Sequence, residues 1–210
     1  MTSILIIDDH KAVAAGTERI LKEAGFDVQI FFSSNKLQEK LQQRHFDAIV
    51  LDWSIPGTDG LTTTKTIAEV IPEAKIIIYT GFEEELIPVY DELVGLGVSG
   101  IISKSSGVNT FVSSIYSILG GYVVFSYTIL REIRQRRLLI KKTVEQFDER
   151  EREIIRNILD GKTNNQIGDL LHVSQRTVEV SVHKIYRKLN IHAREEVGQK
   201  VKELELILPK

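Results

Sequence analysis

Cysteine is absent from the 210 residues, and methionine and tryptophan occur once each. Without cysteine there is no disulfide, no thiol nucleophile and no thiolate ligand for a structural zinc site, so a metal here is expected to rest on oxygen. Long apolar runs are missing as well. No stretch approaches the ~20 residues needed to span a bilayer, and the first residues lack a basic region leading into an apolar one. Neither a membrane span nor a secretory signal is therefore expected, and the expected location is cytoplasmic. A large excess of one charge is lacking too, the formal net charge being −2. That small value conceals an asymmetry: residues 1–130 hold 9 Lys and Arg against 16 Asp and Glu, and residues 131–210 hold 18 against 13. An acidic part followed by a basic one predicts two domains with different partners, and the length suffices for two modest cores.

What is present begins with apolar runs of strand length: ILII (4–7), VQIFF (28–32), AIVLD (48–52), KIIIY (75–79) and GIIS (100–103). Stretches of helical spacing separate them, as in Leu37 and Leu41 or Leu61, Ile67 and Val70. Strict alternation of this kind predicts an α/β fold with a five-stranded, parallel, doubly wound sheet covered on both faces. Ligands of such sheets gather beyond the carboxyl ends of the strands. Asp8 and Asp9 end the first run, Asp52 the third, Thr80 the fourth and Lys104 the fifth. Each alone could simply cap a strand. Together they place three carboxylates, a hydroxyl and an ammonium at one edge, a hard-oxygen site suited to Mg²⁺ and an anion such as phosphate. A dication would also offset the mutual repulsion of the adjacent Asp8 and Asp9.

After Gly120 and Gly121 the positions Ile129, Ile133, Arg136 and Ile140 predict a short amphipathic linker helix with a basic face. From Phe147 onward there is no strand pattern. Asp148 is placed to cap a helix through Leu159, Thr163 or Asn164 to start a second reaching Leu171, and Ser174 to cap a third reaching Asn190, with a fourth from about Ala193. A small all-α, four-helix domain follows, and the short turn HVS (172–174) marks a helix-turn-helix. On its second helix Val178, Val182, Ile185 and Leu189 form the buried stripe. Gln175, Arg176, Thr177, Glu179, Val180, His183, Lys184 and Lys188 face away from it, with Arg187, and can divide phosphate contacts and base reading among them. Val197, Val201 and Leu204, with Leu206 beyond, form a narrow apolar edge that suits either a small dimer interface or packing within the domain. The expected domains are 1–121, a partly helical linker 122–146, and 147–210.

The motifs IIDDH (6–10), LDWSIPGTDG (51–60), IIIYTG (76–81) and GIISK (100–104) resemble the receiver domain of two-component response regulators. The resemblance implies a flavodoxin/CheY-like fold in which Asp52 accepts a phosphoryl group from a sensor histidine kinase. It implies Mg²⁺ held by Asp8, Asp9 and Asp52 with the backbone carbonyl of Trp53 or Ser54, and Thr80 and Lys104 as the groups that meet the phosphoryl oxygens. Gly81 would leave room for that group. Many receivers carry Tyr or Phe three residues before the lysine, where this chain has Ile101, so the movement of Thr80 and the segment Phe82 to Leu93 is expected to carry the response. The run DEREREIIRNILDGKTNNQIGDLLHVSQRTVEVSVHKIYRKLNIHAR resembles the LuxR-type helix-turn-helix, and the combination is similar to the NarL/FixJ class. IDDHKAV, IIIYTGFE, ISK and VEVSV bring it nearest to the competence and quorum-sensing members of ComA type. This implies a non-enzymatic transcription regulator that binds double-stranded promoter DNA as a homodimer, paired through the last helix. Glu179 and Ser181 stand where the family often has Lys and His, which bears on the operator. Two rivals are a DNA-binding protein whose receiver is only a docking surface, and an Mg²⁺-dependent phosphatase or phosphotransferase turning over on Asp52. Ser54, standing where such enzymes often place a second Asp, argues against the latter.

Overall fold

The computed structural model describes residues 1–33 and 36–204. The first unit is built on strands β1 (Ser3–Ile7), β2 (Asp27–Phe31), β3 (Ala48–Leu51), β4 (Lys75–Thr80) and β5 (Val98–Ser103), joined by helices α1 (Lys11–Glu23), α2 (Leu37–Gln42), α3 (Gly60–Val70) and α4 (Tyr90–Gly95). A 3₁₀ run, Glu83–Val89, precedes α4, and α5 (Val108–Leu119) follows β5. The strands are parallel, as the apolar runs predict, and stand in the order β2-β1-β3-β4-β5. A sixth, β6 (Val124–Phe125), pairs in parallel with β5 through Gly100↔Val124 and Ile101↔Phe125. The sheet therefore has six strands among the described residues, where five were expected. Two residues are too few to display a period of two.

Period-two alternation distributes the strand residues to two apolar layers. Leu5, Ile7, Ile49, Leu51, Ile76 and Ile78 pack with Leu37 and Leu41 of α2, Ile67 of α3 and Leu93 of α4. Ile4, Ile6, Ala48, Val50 and Ile77 pack on the other face with Leu21 of α1 and Phe111, Ile115 and Ile118 of α5. Each fully buried Ile or Leu contributes on the order of 1.5–3 kcal/mol, which is why the central strands β1 and β3 are buried on both faces. Local chemistry sets where α3 starts. Asp59 accepts from the Thr62 N–H at 2.8 Å and the Thr62 hydroxyl at 2.6 Å. The next residue, Gly60, has no alternative, since a Cβ there would lie 2.3 Å from the Trp53 ring.

Helix α6 (Tyr127–Glu145) leaves the first unit, and the chain divides into Met1–Ile133 and Arg134–Lys210. The second unit holds α7 (Glu149–Leu159), α8 (Asn164–Leu170), α9 (Gln175–Leu189) and α10 (Glu196–Glu203). Reciprocal capping boxes start α7 (Asp148 with Glu151) and α8 (Thr163 with Gln166), and Ser174 caps α9 through the Thr177 N–H. Phe147, Ile154, Ile155, Ile167, Val178, Val182, Ile185, Leu189 and Val197 form the core. Between α8 and α9 the backbones nearly touch, with the Val173 N–H donating to the Gly168 carbonyl at 2.9 Å. A Cβ on Gly168 would sit 2.7 Å from the Val173 oxygen, so only glycine permits so short a turn. Helix α10 begins three residues after the expected Ala193. Arg194 is drawn instead toward the α7–α8 loop, donating to Asn164 Oδ1 at 2.9 Å and to the Lys162 carbonyl.

Candidate functional site

The carboxyl ends of β1 and β3 are stitched one residue past the strands. The Asp8 N–H donates to the Phe31 carbonyl at 3.2 Å, and the Asp52 N–H to the Ile7 carbonyl at 2.8 Å. This fixes both carboxylates side by side at the rim, with Asp8 3% and Asp52 5% exposed. The rim is completed from β5, where the Lys104 N–H donates to the Thr80 carbonyl at 2.8 Å. The Lys104 ammonium then donates to Asp8 Oδ2 at 2.9 Å and lies 3.0 Å from Asp52 Oδ2. Burial by itself pushes the Lys104 ammonium down. The hydrogen bonds and charges of Asp8 and Asp52 outweigh that and raise it above 10.5, so the ammonium stays charged.

One ammonium faces three carboxylates. The shortfall of positive charge falls where ligand atoms converge: Asp8, Asp9, His10 and Asp52 each present one within 4.8 Å of the others. Asp9 Oδ1 is buried and has no hydrogen-bond partner among the described residues. His10 Nδ1 lies 3.2 Å from that oxygen, outside hydrogen-bonding geometry, and 3.6 and 3.7 Å from Asp8 Oδ1 and Asp52 Oδ2. Hard oxygen donors, excess negative charge and an unpaired buried carboxylate oxygen fit a divalent cation such as Mg²⁺. Thr80, at the same rim, is buried. Its hydroxyl oxygen accepts from the Phe82 N–H at 3.0 Å, which leaves the hydroxyl proton to be donated elsewhere. Beside it, a Cβ at Gly81 would meet nothing within 4 Å, so the approach there is open.

In the second unit, Gln175, Arg176, Thr177, Val180, His183 and Lys184 are exposed along α9. Glu179 is half-buried and accepts from Gln175 Nε2 at 2.8 Å. Lys188 is directed elsewhere: its ammonium donates to the Gln146 carbonyl at 2.7 Å and to Glu151, and sits 5.4 Å from the centre of the Phe147 ring. Val197 is fully buried in the domain core, and Val201 and Leu204 pack partly buried against it. Leu206 lies outside the described residues.

Residues 4–116 match the family model described as response regulator receiver domain, and residues 145–201 the one described as bacterial regulatory proteins, luxR family. The chain belongs to the response regulators. It is 31% identical to the transcriptional regulatory protein ComA of Bacillus subtilis over 93% of its own length and 95% of that protein. It is also 31% identical to the response regulator UvrY of Escherichia coli, over 91% of its length and 89% of that one. The RcsB response regulator of Salmonella typhimurium shares the fold, with a TM-score of 0.64 over 95% of this chain and 97% of that one at 19% identity. Reading this response regulator's sequence alone missed His10 in the acidic cluster. The signal was its place directly after the aspartate pair, as the N-cap of α1. Lys188, expected at the DNA face from its place opposite the buried stripe of α9, is paired with Glu151, 37 residues earlier.

Proposed function

We propose that this response regulator is a transcription factor that takes a phosphoryl group on Asp52 from a sensor histidine kinase and then binds promoter DNA as a homodimer. The observation that carries the reading is the buried Asp52 carboxylate held between the Lys104 ammonium and the Asp8–Asp9 pair, whose excess negative charge calls for a dication. Asp8, Asp9, Asp52 and the backbone carbonyl of Ser54 would hold Mg²⁺, which when bound neutralises charge on the transferring phosphoryl oxygens. In the transfer an Asp52 oxygen forms a bond to phosphorus as the phosphorus–nitrogen bond of the kinase phosphohistidine breaks, the imidazole leaving with the electron pair. Lys104 then exchanges its contact with the Asp52 oxygen for one with the phosphoryl group. Thr80 donates its hydroxyl proton to a second phosphoryl oxygen. The setting for this chemistry is the cytoplasm, where kinase and DNA are both accessible.

On the DNA side, α9 enters the major groove. Gln175, Thr177, Glu179, Val180 and His183 are set to read base edges, and Arg176 and Lys184 to anchor phosphates. Lys188 serves the same interface indirectly, by tying α9 to Glu151 and so stabilising the folded domain that carries it. Val197 serves the fold of α10, while the half-buried Val201 and Leu204 leave an edge for a second copy on a two-fold site.

Intact-mass measurement after incubation with acetyl phosphate and Mg²⁺ tests the central step. One phosphoryl adduct per chain is expected, lost in Asp52→Ala, with no sustained release of phosphate. Continuous turnover of an added organic phosphate would make the protein an enzyme. No adduct with acetyl phosphate or a phosphorylated kinase would reduce the receiver to a docking surface.

A further inference from the structure

The segment after α5 does more than join the two units. Val124 and Phe125 add β6 to the open edge of β5, and Phe125 packs edge-on against Tyr90, the first residue of α4, with ring centroids 5.4 Å apart. Ile129 and Ile133, the first inward positions of α6, are buried in the same apolar layer as Leu86, Leu93 and Ile101. At the centre of this contact lies Ser126. Its hydroxyl donates to Glu83 Oε2 at 3.1 Å and accepts from the Ile129 N–H at 3.3 Å, and its carbonyl accepts from the Leu130 N–H at 3.3 Å. One side chain thus both starts α6 and holds it to the turn that follows β4.

That turn is the one governed by Thr80. The Phe82 N–H, one residue before Glu83, donates to the Thr80 hydroxyl, and the Phe82 carbonyl accepts from the Glu85 N–H at 3.2 Å. If the Thr80 hydroxyl moves toward a phosphoryl group to donate to it, the oxygen to which the Phe82 N–H donates moves too, and the peptide carrying Glu83 is drawn after it. Ile101, buried and paired in register with Phe125 of β6, supplies no swinging aromatic ring of its own. The aromatic contact at this face is instead made by Phe125, a residue of the segment leading into α6.

We propose that Glu83 and Ser126 are a positioning pair that latches residues 124–133 onto the receiver, and that engagement of Thr80 by a phosphoryl group on Asp52 releases the latch and with it the base of α6. This rests on the assignment of Asp52 as phosphoryl acceptor. The coupling is reciprocal: a contact that the phosphorylated state weakens must, when removed, make that state easier to reach. Because α6 runs without interruption to Glu145, loosening its first two turns changes how the helix leading to the second unit is anchored.

The test is hydrogen exchange of the full chain at residues 124–133, before and after acetyl phosphate and Mg²⁺, with the adduct counted by intact mass in the same samples. In the native protein, phosphorylation is expected to speed exchange there about fivefold, the scale set by losing one partly buried hydrogen bond. Ser126→Ala and Glu83→Ala should exchange fast before phosphorylation, respond little to it, and hold a larger phosphorylated fraction than native at equal acetyl phosphate. Ser126→Thr should restore native behaviour. Glu83→Ala is decisive, because it leaves the α6 cap in place, so a purely structural role for Ser126 predicts no effect from it. Full phosphorylation with unchanged exchange at 124–133, or a native-like response in Glu83→Ala, overturns the latch alone. Failure of the native protein to gain an adduct overturns the Asp52 assignment and the latch with it.

Discussion

At the scale of single residues, partially balanced charge explains most of the chemistry. Asp9 has a buried oxygen that no group among the described residues satisfies, so Asp9→Asn is expected to weaken Mg²⁺ binding at least about tenfold while leaving the protein folded. Calorimetric titration with Mg²⁺ would register this, and undiminished affinity would remove Asp9 from the ligand set. Lys188 makes the opposite case, a cation consumed by structure. Glu151 is 5% exposed, so Lys188→Met strands a buried carboxylate and should cost about 2 kcal/mol, discounted for the partly exposed lysine. Adding Glu151→Gln should recover part of the loss in urea denaturation. An effect on DNA binding from Lys188→Met should then track loss of folded protein, whereas a direct phosphate contact would lower affinity at full foldedness.

Elements are where sequence and structure agreed most, and where they parted for identifiable reasons. Strands β1 and β3 to β5 were legible because each is an apolar run closed by a polar residue, and that terminator is also the group the proposed phosphoryl chemistry uses. Helices α7 to α9 were legible from their caps, Asp148, Thr163 and Ser174. Strand β6 was not, since it is specified by what Phe125 and Ile129 pack against rather than by any local period. The start of α10 was displaced by Arg194, whose partners lie some thirty residues away. Caps also yield a pH prediction. The hydrogen bonds from the Thr62 hydroxyl and N–H hold the Asp59 carboxyl below 3.8. A depressed folded value means the stabilisation is present above 3.8 and is lost as pH falls through the lower folded value. Asp59→Ala should therefore cost about 1 kcal/mol at neutral pH, and the gap from native should close in acid unfolding below the ordinary carboxylate range. At the α8–α9 turn, Gly168→Ala forces the Val173 carbonyl aside and should cost about 2 kcal/mol, measurable by thermal denaturation.

For the whole molecule, the division of charge fits the proposed function: an acidic unit suited to a cation and a phosphoryl group, and a basic one that presents α9. Arg176→Ala and Lys184→Ala should each weaken binding to all DNA sequences alike and lower the slope of log affinity against log salt by about one. Glu179→Lys should raise non-specific affinity while altering which base is preferred, since a carboxylate that can accept from cytosine is replaced by a phosphate-seeking ammonium. Competition binding on a random-site library would separate the two effects. Phosphorylation itself can shift the balance of states only by as much as it distinguishes them. The increase in DNA affinity on phosphorylation therefore sets a lower bound on the energy exchanged between rim and helix.

The ring that crowds Gly60 belongs to the single tryptophan in the chain, Trp53, the residue that follows Asp52, the proposed acceptor. Its emission consequently reports on one place alone, so cation loading and acyl-phosphate formation can be followed in the unlabelled protein without interference from elsewhere.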